Sequence, residues 1–256
     1  MAKGKLGVDS SVPVNTEIEG KSLVQLATTV FNATPVFWGR YFTSVATAGD
    51  VEYRHLKENQ ILRQNNIRVL PIARQTKHVN SSQAQGIADA QANVKDLITT
   101  FGQDYLAAQG GTFFLFLDVE GTPSLSAAYF KGWVQTLESA SFDLSDGPVQ
   151  ILPGVYGNHD DEPTWEAVAT CADQDIVCQG AWVARWVHHA CHDMDDWDDQ
   201  MVLPKTELPC KVLVWQYSDE CYGGNGFDCN QTNPSIDVDQ ELLSQLVLPP
   251  DIAGGV

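Results

Sequence analysis

The sequence predicts an α/β fold, a (β/α)8-type TIM barrel irregular in its last third, and three observations carry that prediction. Short apolar runs rich in Val, Ile, Phe and Tyr alternate with helical patterns along most of the chain, and such alternation builds a parallel sheet with crossover helices. About seven or eight such runs fit into the 256 residues, enough to close a barrel. No Pro-, Gly- or Ser-rich linker divides the chain, so residues 1–256 are read as one domain. A doubly wound open sheet is the runner-up.

In order, Leu6–Asp9 reads as a first strand and Ser22–Phe31 as a helix. Thr34–Phe42 is a second strand, Asp50–Asn65 a helix with Asp50 as N-cap, and Ile67–Ala73 a third strand. Ser81–Ala108 carries a long helical pattern in which Ala84, Ile87, Ala88, Ala92, Val94, Leu97, Ile98 and Phe101 recur at helical spacing. Phe113–Leu117 is a buried strand bounded by glycines. Ser124–Leu137 is helical, Val149–Tyr156 a strand, Pro163–Thr170 a helix, Gly180–Trp186 a strand and Lys211–Tyr217 the last clear strand. The segment Ala190–Pro209 is irregular and acidic, and marks where the barrel departs from regularity.

Composition narrows the partners. Thirty-three acidic residues against fifteen basic ones give a net charge of −18, which repels nucleic acid and favours a neutral or cationic ligand. No apolar stretch is long enough for a membrane span, and the basic start Met1–Lys5 has no apolar segment behind it to make a secretion signal. Hydrophobic residues are 43% of the chain, with seven Trp and ten Phe to build a core.

All six cysteines lie between Cys171 and Cys229. Cys171/Cys178 and Cys221/Cys229 are natural local pairs, with Cys191/Cys210 left over, against the alternative of six reduced thiols. Disulfides, and the sequons at Asn32, Asn80 and Asn230, point to an extracellular or exported protein.

The most informative stretch is Leu117-Asp-Val-Glu120, where an apolar strand ends in two carboxylates. Side chains two residues apart on a strand share a face, with Cα atoms about 6.5 to 7 Å apart. Like charges so close split their pKa values, one acid held protonated and one ionised, as acid-base hydrolysis requires. Capping of the following helix accounts for one acid but less easily for both. Asp9, Arg40, Asp118, Glu120, Tyr156 and Gln216 all fall at or near C-terminal strand ends, which line the functional mouth of a barrel.

At these residues the chain resembles a known group. Gly7-Val-Asp-Ser-Ser11, Gly39-Arg-Tyr41, Leu117-Asp-Val-Glu120, Gly154-Val-Tyr-Gly157, Ala181-Trp-Val-Ala184 and Val214-Trp-Gln-Tyr217 occur in this order in glycoside hydrolase family 25, the muramidase barrels. Glu58, Val69-Leu-Pro-Ile72 and Gly86-Ile-Ala-Asp-Ala90 resemble a relative, the glycoside-hydrolase-like domain of unknown function 1906. The resemblance spans about Leu6 to Asn230. It implies that Glu120 is the general acid/base, that Asp118 orients the substrate acetamido group or acts as nucleophile, and that Asp9 and Asp228 match further acids of the family.

Glycoside hydrolysis needs a proton for the leaving oxygen and stabilisation of an oxocarbenium-like transition state. Glu120 near Phe116 and aromatic neighbours is expected to have a raised pKa and to donate, with Asp118 and Asp9 ionised. Arg40 either tunes the acids or binds a substrate carboxylate, or is a structural ion-pair partner. Tyr156, Trp182, Trp215 and Tyr217 suit stacking on sugar rings, although aromatic residues beside strand ends are more often core, so one or two are expected to touch ligand. Asn158–Glu162 reads as a solvated loop and Gly223–Gly226 as a turn. The His188-His-Ala-Cys-His192 run with its following aspartates lacks a recognised ligand spacing, so it reads as an acidic exposed loop, with no metal and no cofactor expected. The implied partner is a polysaccharide or oligosaccharide, as substrate of a glycosidase with bacterial cell wall first and chitin-like glycans second. The alternative is a ligand of a non-catalytic sugar-binding barrel.

Overall fold

Each apolar run singled out in the sequence is a strand: β1 (Leu6–Asp9), β2 (Phe37–Phe42), β3 (Arg68–Arg74), β4 (Thr112–Val119), β5 (Gln150–Asn158), β6 (Gly180–His188) and β7 (Val212–Cys221). In this computed structural model, which describes residues 3–42, 53, 55–121, 123–145 and 147–251, a further strand, β8 (Phe227–Thr232), completes the set. Eight strands close a barrel in the order β1-β8-β7-β6-β5-β4-β3-β2.

The helices are α1 (Leu23–Phe31), α2 (His55–Gln64), α3 (Gln83–Phe101), α4 (Gln103–Ala108), α5 (Ala127–Ser145), α6 (Glu162–Ala172) and the short α7 (Asp199–Val202) and α8 (Val238–Glu241). Ser22 opens α1 with a capping box closed by Gln25. The long pattern expected over Ser81–Ala108 is two helices, because Gly102 stands between them at φ 82°, outside helical geometry. Asp50, read as an N-cap, lies outside the described residues.

β1 to β7 pair in parallel, whereas β8 is antiparallel to both β7 and β1. The structure is therefore a mixed α/β, TIM-like barrel rather than a uniform (β/α)8 repeat. Only Tyr222–Gly226 joins β7 to β8, too short for a crossover helix, so the two strands pair as a hairpin. Between β6 and β7 the acidic segment supplies just the four residues of α7. The departure from regularity falls in the last third, as the sequence indicates.

Alternation of side chains divides the barrel's core in two. Inside the lumen Phe37, Tyr41, Leu70, Ile72, Phe114, Phe116, Tyr156 and Trp182 pack together, and Leu242, Leu243 and Leu246 close the N-terminal end of the strands. Outside, Trp38, Leu115, Leu117, Val155, Val183 and Trp215 meet the helices. Val69 and Val247 pair by backbone hydrogen bonds of 2.7 and 3.2 Å, which holds the C-terminal segment on that floor. Two motif residues are part of this frame. Glu58 accepts from Arg40 and from the Val14 amide, and Asp89 of α3 accepts from Gln85 and from Tyr129 of α5.

The disulfide pairing expected from the sequence is corrected. Cys191 bonds to Cys221, across 30 residues. Cys171, Cys178, Cys210 and Cys229 are thiols. The Cys171 thiol donates to the Ala127 carbonyl and that of Cys178 to the Gly180 carbonyl, each at 3.3 Å. Cys221 faces Phe227 across the β7–β8 hairpin while Cys229 faces Ser218, so the expected Cys221/Cys229 pair is out of register. Asn230 is fully buried and thus no surface glycan acceptor, whereas Asn32 and Asn80 are exposed. Among the described residues no helix is long and apolar enough to cross a membrane. The disulfide is compatible with an exported protein.

Candidate active site

Strand register brings the carboxylates to one mouth. Asp9 stands opposite Gly39 on one side and Asp228 on the other. Arg74 stands beside Asp118, Asp118 beside Tyr156, Tyr156 beside Trp182, and Gln216 beside Asn230. Gly39 makes the crossing possible, since a Cβ there would lie 2.6 Å from the Asp9 Cβ and 3.0 Å from the Trp182 ring.

Gln216 is the hub. Its amide nitrogen donates to Asp9 Oδ2 at 3.0 Å and to Asp228 Oδ2 at 3.3 Å. Its Oε1 accepts from the Trp186 indole at 2.8 Å and from the Tyr156 hydroxyl at 2.9 Å. The Tyr156 hydroxyl also contacts Glu120 Oε2. A phenol has one proton, so it cannot donate to both oxygens. When Glu120 is protonated the conflict vanishes, because Glu120 donates to Tyr156 and Tyr156 to Gln216.

The electrostatics point the same way. Burial, then the charge of Asp118, pushes the Glu120 carboxyl up to about 8, against a lowering contribution from Tyr156. Asp228 is raised to about 7, chiefly by burial. Asp9 lies well above the carboxylate range through burial and the neighbouring Asp228, although Asn230 and Gln216 donate to it at 2.7 and 3.0 Å. That direction opposes the expectation of an ionised Asp9. Asp118 is compensated instead: it accepts the Glu120 amide at 3.1 Å and has the Arg74 Nε 3.6 Å away.

The expected site residues separate into two groups. Asp9, Asp118, Glu120, Tyr156, Gln216 and Asp228 converge. Trp182 is in the lumen beneath them, fully buried, stacked on Tyr156 at 4.1 Å and bonded to Asn230; it is a floor rather than a sugar platform. Arg40 points out of the barrel and forms a buried ion pair with Glu58 at 2.7 Å, while its Nη1 donates to the Ser10 carbonyl. This placement matches the ion-pair alternative for Arg40 and puts its guanidinium away from the converging acids. Trp215 likewise packs outside, edge-on to Trp197, with its indole on the Arg185 carbonyl. Tyr217 lies on the same outer side, donating to the His192 carbonyl.

Tyr41, Arg74, Trp186 and Asn230 belong to the site and were missed. Strand parity is the signal for the first three: Tyr41 shares the face of Gly39, Arg74 that of Ile72, and Trp186 that of Trp182. Arg74 lies over the Tyr41 ring at 5.2 Å. Asn230 reads as a sequon and gives no such signal.

A cavity of about 210 Å³ opens on this constellation, lined by Ser10, Glu120, Trp186, Asp219, Gly224 and Asp228 among others. A larger cavity of about 390 Å³ lies at the opposite end, between Leu203–Val212 and Asn233–Ile236, away from the converging acids. Chemistry rather than volume selects the smaller one.

No family model and no curated protein matches the chain. Solved structures do. An uncharacterized protein of B. stearothermophilus aligns at 21% identity with a TM-score of 0.69, over 95% of this chain and all of that one (100%). The spore cortex lytic enzyme SleM of Clostridium perfringens aligns at 16% identity with a TM-score of 0.53, over 91% of this chain and 68% of that one. The Tat-secreted protein Rv2525c of Mycobacterium tuberculosis, crystallised with HEPES, aligns at 17% identity with a TM-score of 0.50, over 90% and 95%.

The chain shares its eight-stranded barrel fold with these proteins. At these identities the likeness is one of fold, and function rests on the site itself.

Proposed function

We propose that this chain is a glycoside hydrolase acting on an N-acetylated polysaccharide, peptidoglycan first and chitin-like glycans second, with Glu120 as general acid/base. The observation that carries the reading is a half-buried acid, pushed up to about 8 by burial and by Asp118, beside further carboxylates on the mouth of an eight-stranded barrel. A protonated Glu120 donates to the glycosidic oxygen, and the charge of Asp118 supports the positive ring of the transition state. Asp9 and Asp228 set the orientation of Gln216, and Trp186 offers an apolar face to a sugar ring. The family 25 muramidases and the 1906 domain remain the group these motifs resemble. The fold likeness to a spore cortex lytic enzyme supports a carbohydrate substrate. The net charge of −18 favours the neutral glycans or elevated salt.

A second reading is non-catalytic sugar binding. It draws on the near-complete burial of Asp9 and Asp118, 1% and 2% exposed, which leaves Glu120 and Asp228 as the acids most open to a ligand. One assay separates the two. Wild type and Glu120→Gln are incubated with peptidoglycan and with chitin oligosaccharides, and new reducing ends are followed by mass spectrometry. Cleavage by wild type alone is expected; binding by both without cleavage would favour the lectin-like reading.

A further inference from the structure

β6 ends at His188 and runs into the acidic loop 189–198. The His188 and His192 rings lie face to face, centroids 3.4 Å apart and 13° from parallel. One ring nitrogen from each and a carboxylate oxygen of Asp195 all fall within 4.8 Å of one another, and His188 Nε2 is 2.8 Å from Asp195 Oδ2. One ring nitrogen of His192 is already engaged. Its Nδ1 is 2.8 Å from the Asp193 carbonyl, a contact that requires Nδ1–H and leaves Nε2 with a free lone pair. Ligating histidines are oriented in this way.

We propose that His188, His192 and Asp195 bind one divalent transition metal ion of the zinc type, with solvent completing a tetrahedral shell. Two imidazoles and one carboxylate suit zinc or cobalt, whereas calcium and magnesium require mostly oxygen ligands. Ligands around tetrahedral zinc with bonds of about 2.0 Å are roughly 3.3 Å apart, so the present spacing needs only side-chain adjustment. His188 Nε2 now donates its proton to the Asp195 carboxylate; a bound cation takes the place of that proton, so ligation by His188 releases it.

The loop is built to hold that arrangement. Its carbonyls accept hydrogen bonds from barrel side chains: Ala190 from Ser218, His192 from Tyr217 at 3.0 Å, and Asp195 from Gln231 at 3.0 Å. The Cys191–Cys221 disulfide ties the same loop to the end of β7. Metal binding therefore demands little further ordering of the backbone. His189 turns away, 72% exposed and paired with Asp219 at 2.7 Å, which makes it an internal control. The site is separate from the glycosidase reading and does not depend on it.

The test uses untagged, chelator-dialysed protein titrated with Co(II), followed by visible ligand-field bands, and with Zn(II) by calorimetry. One metal per chain and tetrahedral Co(II) bands are expected for wild type and for His189→Ala. His192→Ala removes an exposed side chain, so the fold persists, as circular dichroism checks, and affinity should fall by a factor of about 100 or more. Asp195→Asn should weaken binding as well. Absence of heat and bands at micromolar metal in wild type would overturn the proposal, as would wild-type binding by His192→Ala, which would assign the metal to other surface acids.

Discussion

The Tyr156 hydroxyl meets the Glu120 carboxyl at the barrel mouth, 36 residues apart in sequence and on neighbouring strand ends. Its second contact, to Gln216, extends the chain to Asp9 and Asp228. Protonation of Glu120 is thus coupled to a network in which the Tyr156 hydroxyl can hydrogen-bond both Glu120 and Gln216 only when that acid carries its proton.

Activity should follow the protonated acid. With Glu120 near 8, kcat/KM is expected to fall on the alkaline side through that value. Asp118 raises Glu120, so Asp118→Asn should move the alkaline limb to lower pH, apart from any loss in kcat. A pH–rate profile of the two proteins on the same oligosaccharide checks this; an unmoved limb would detach Asp118 from Glu120.

Stability should fall as pH rises. Glu120 and Asp228 have folded values of about 8 and about 7 against ordinary values of 4.5 and 3.8. Over that window the folded protein keeps protons that the unfolded chain has released. Their contribution is complete below about pH 4 and is lost as pH climbs through the folded values, by at most about 1.4 kcal/mol per pH unit for each group. Asp9, raised by the same burial, acts in the same sense. Glu120→Gln should flatten this decline, as seen in urea midpoints measured at about pH 5 and about pH 8; parallel slopes in both proteins would contradict it.

Gly39 is set by contact rather than by turn geometry. Gly39→Ala forces a methyl group to 2.6 Å from Asp9 and 3.0 Å from Trp182. A loss of about 1 to 3 kcal/mol is expected from overpacking, together with impaired activity because Asp9 is displaced. Gly121→Ala, with nothing within 4 Å of its added carbon, should stay within about 0.5 kcal/mol of wild type. Chemical denaturation of both variants is the comparison.

The barrel was legible because parallel strands buried on both faces are predominantly apolar, and each of β1 to β7 carries an apolar run. β8 was not. Its sequence Phe-Asp-Cys-Asn-Gln-Thr is polar because Asp228 and Asn230 serve the mouth, so hydrophobicity is silent there. The acids at strand ends were readable by period alone. The readings of Arg40 stayed open because a strand-end position does not say which face a residue takes, and parity with the lumen residues Phe37 and Tyr41 sends it outward. Trp215 takes the outer face for the same reason beside Gln216. Disulfide pairing depends on loop paths, which proximity in sequence does not supply.

The buried Arg40–Glu58 pair gives a test that separates structure from recognition. Both side chains are fully enclosed, and the guanidinium also holds the Ser10 carbonyl on the strand-end segment after β1. Removing one partner strands a charge, so Arg40→Met should cost about 3 to 5 kcal/mol. Arg40→Met with Glu58→Gln should recover much of it, because no uncompensated charge is left. If Arg40 instead bound a substrate carboxylate, the single variant would raise KM for acidic glycans and leave neutral ones unaffected, with stability intact. Denaturation midpoints together with KM on an acidic and a neutral oligosaccharide decide the matter, and the geometry predicts the loss in stability without the selective change in KM.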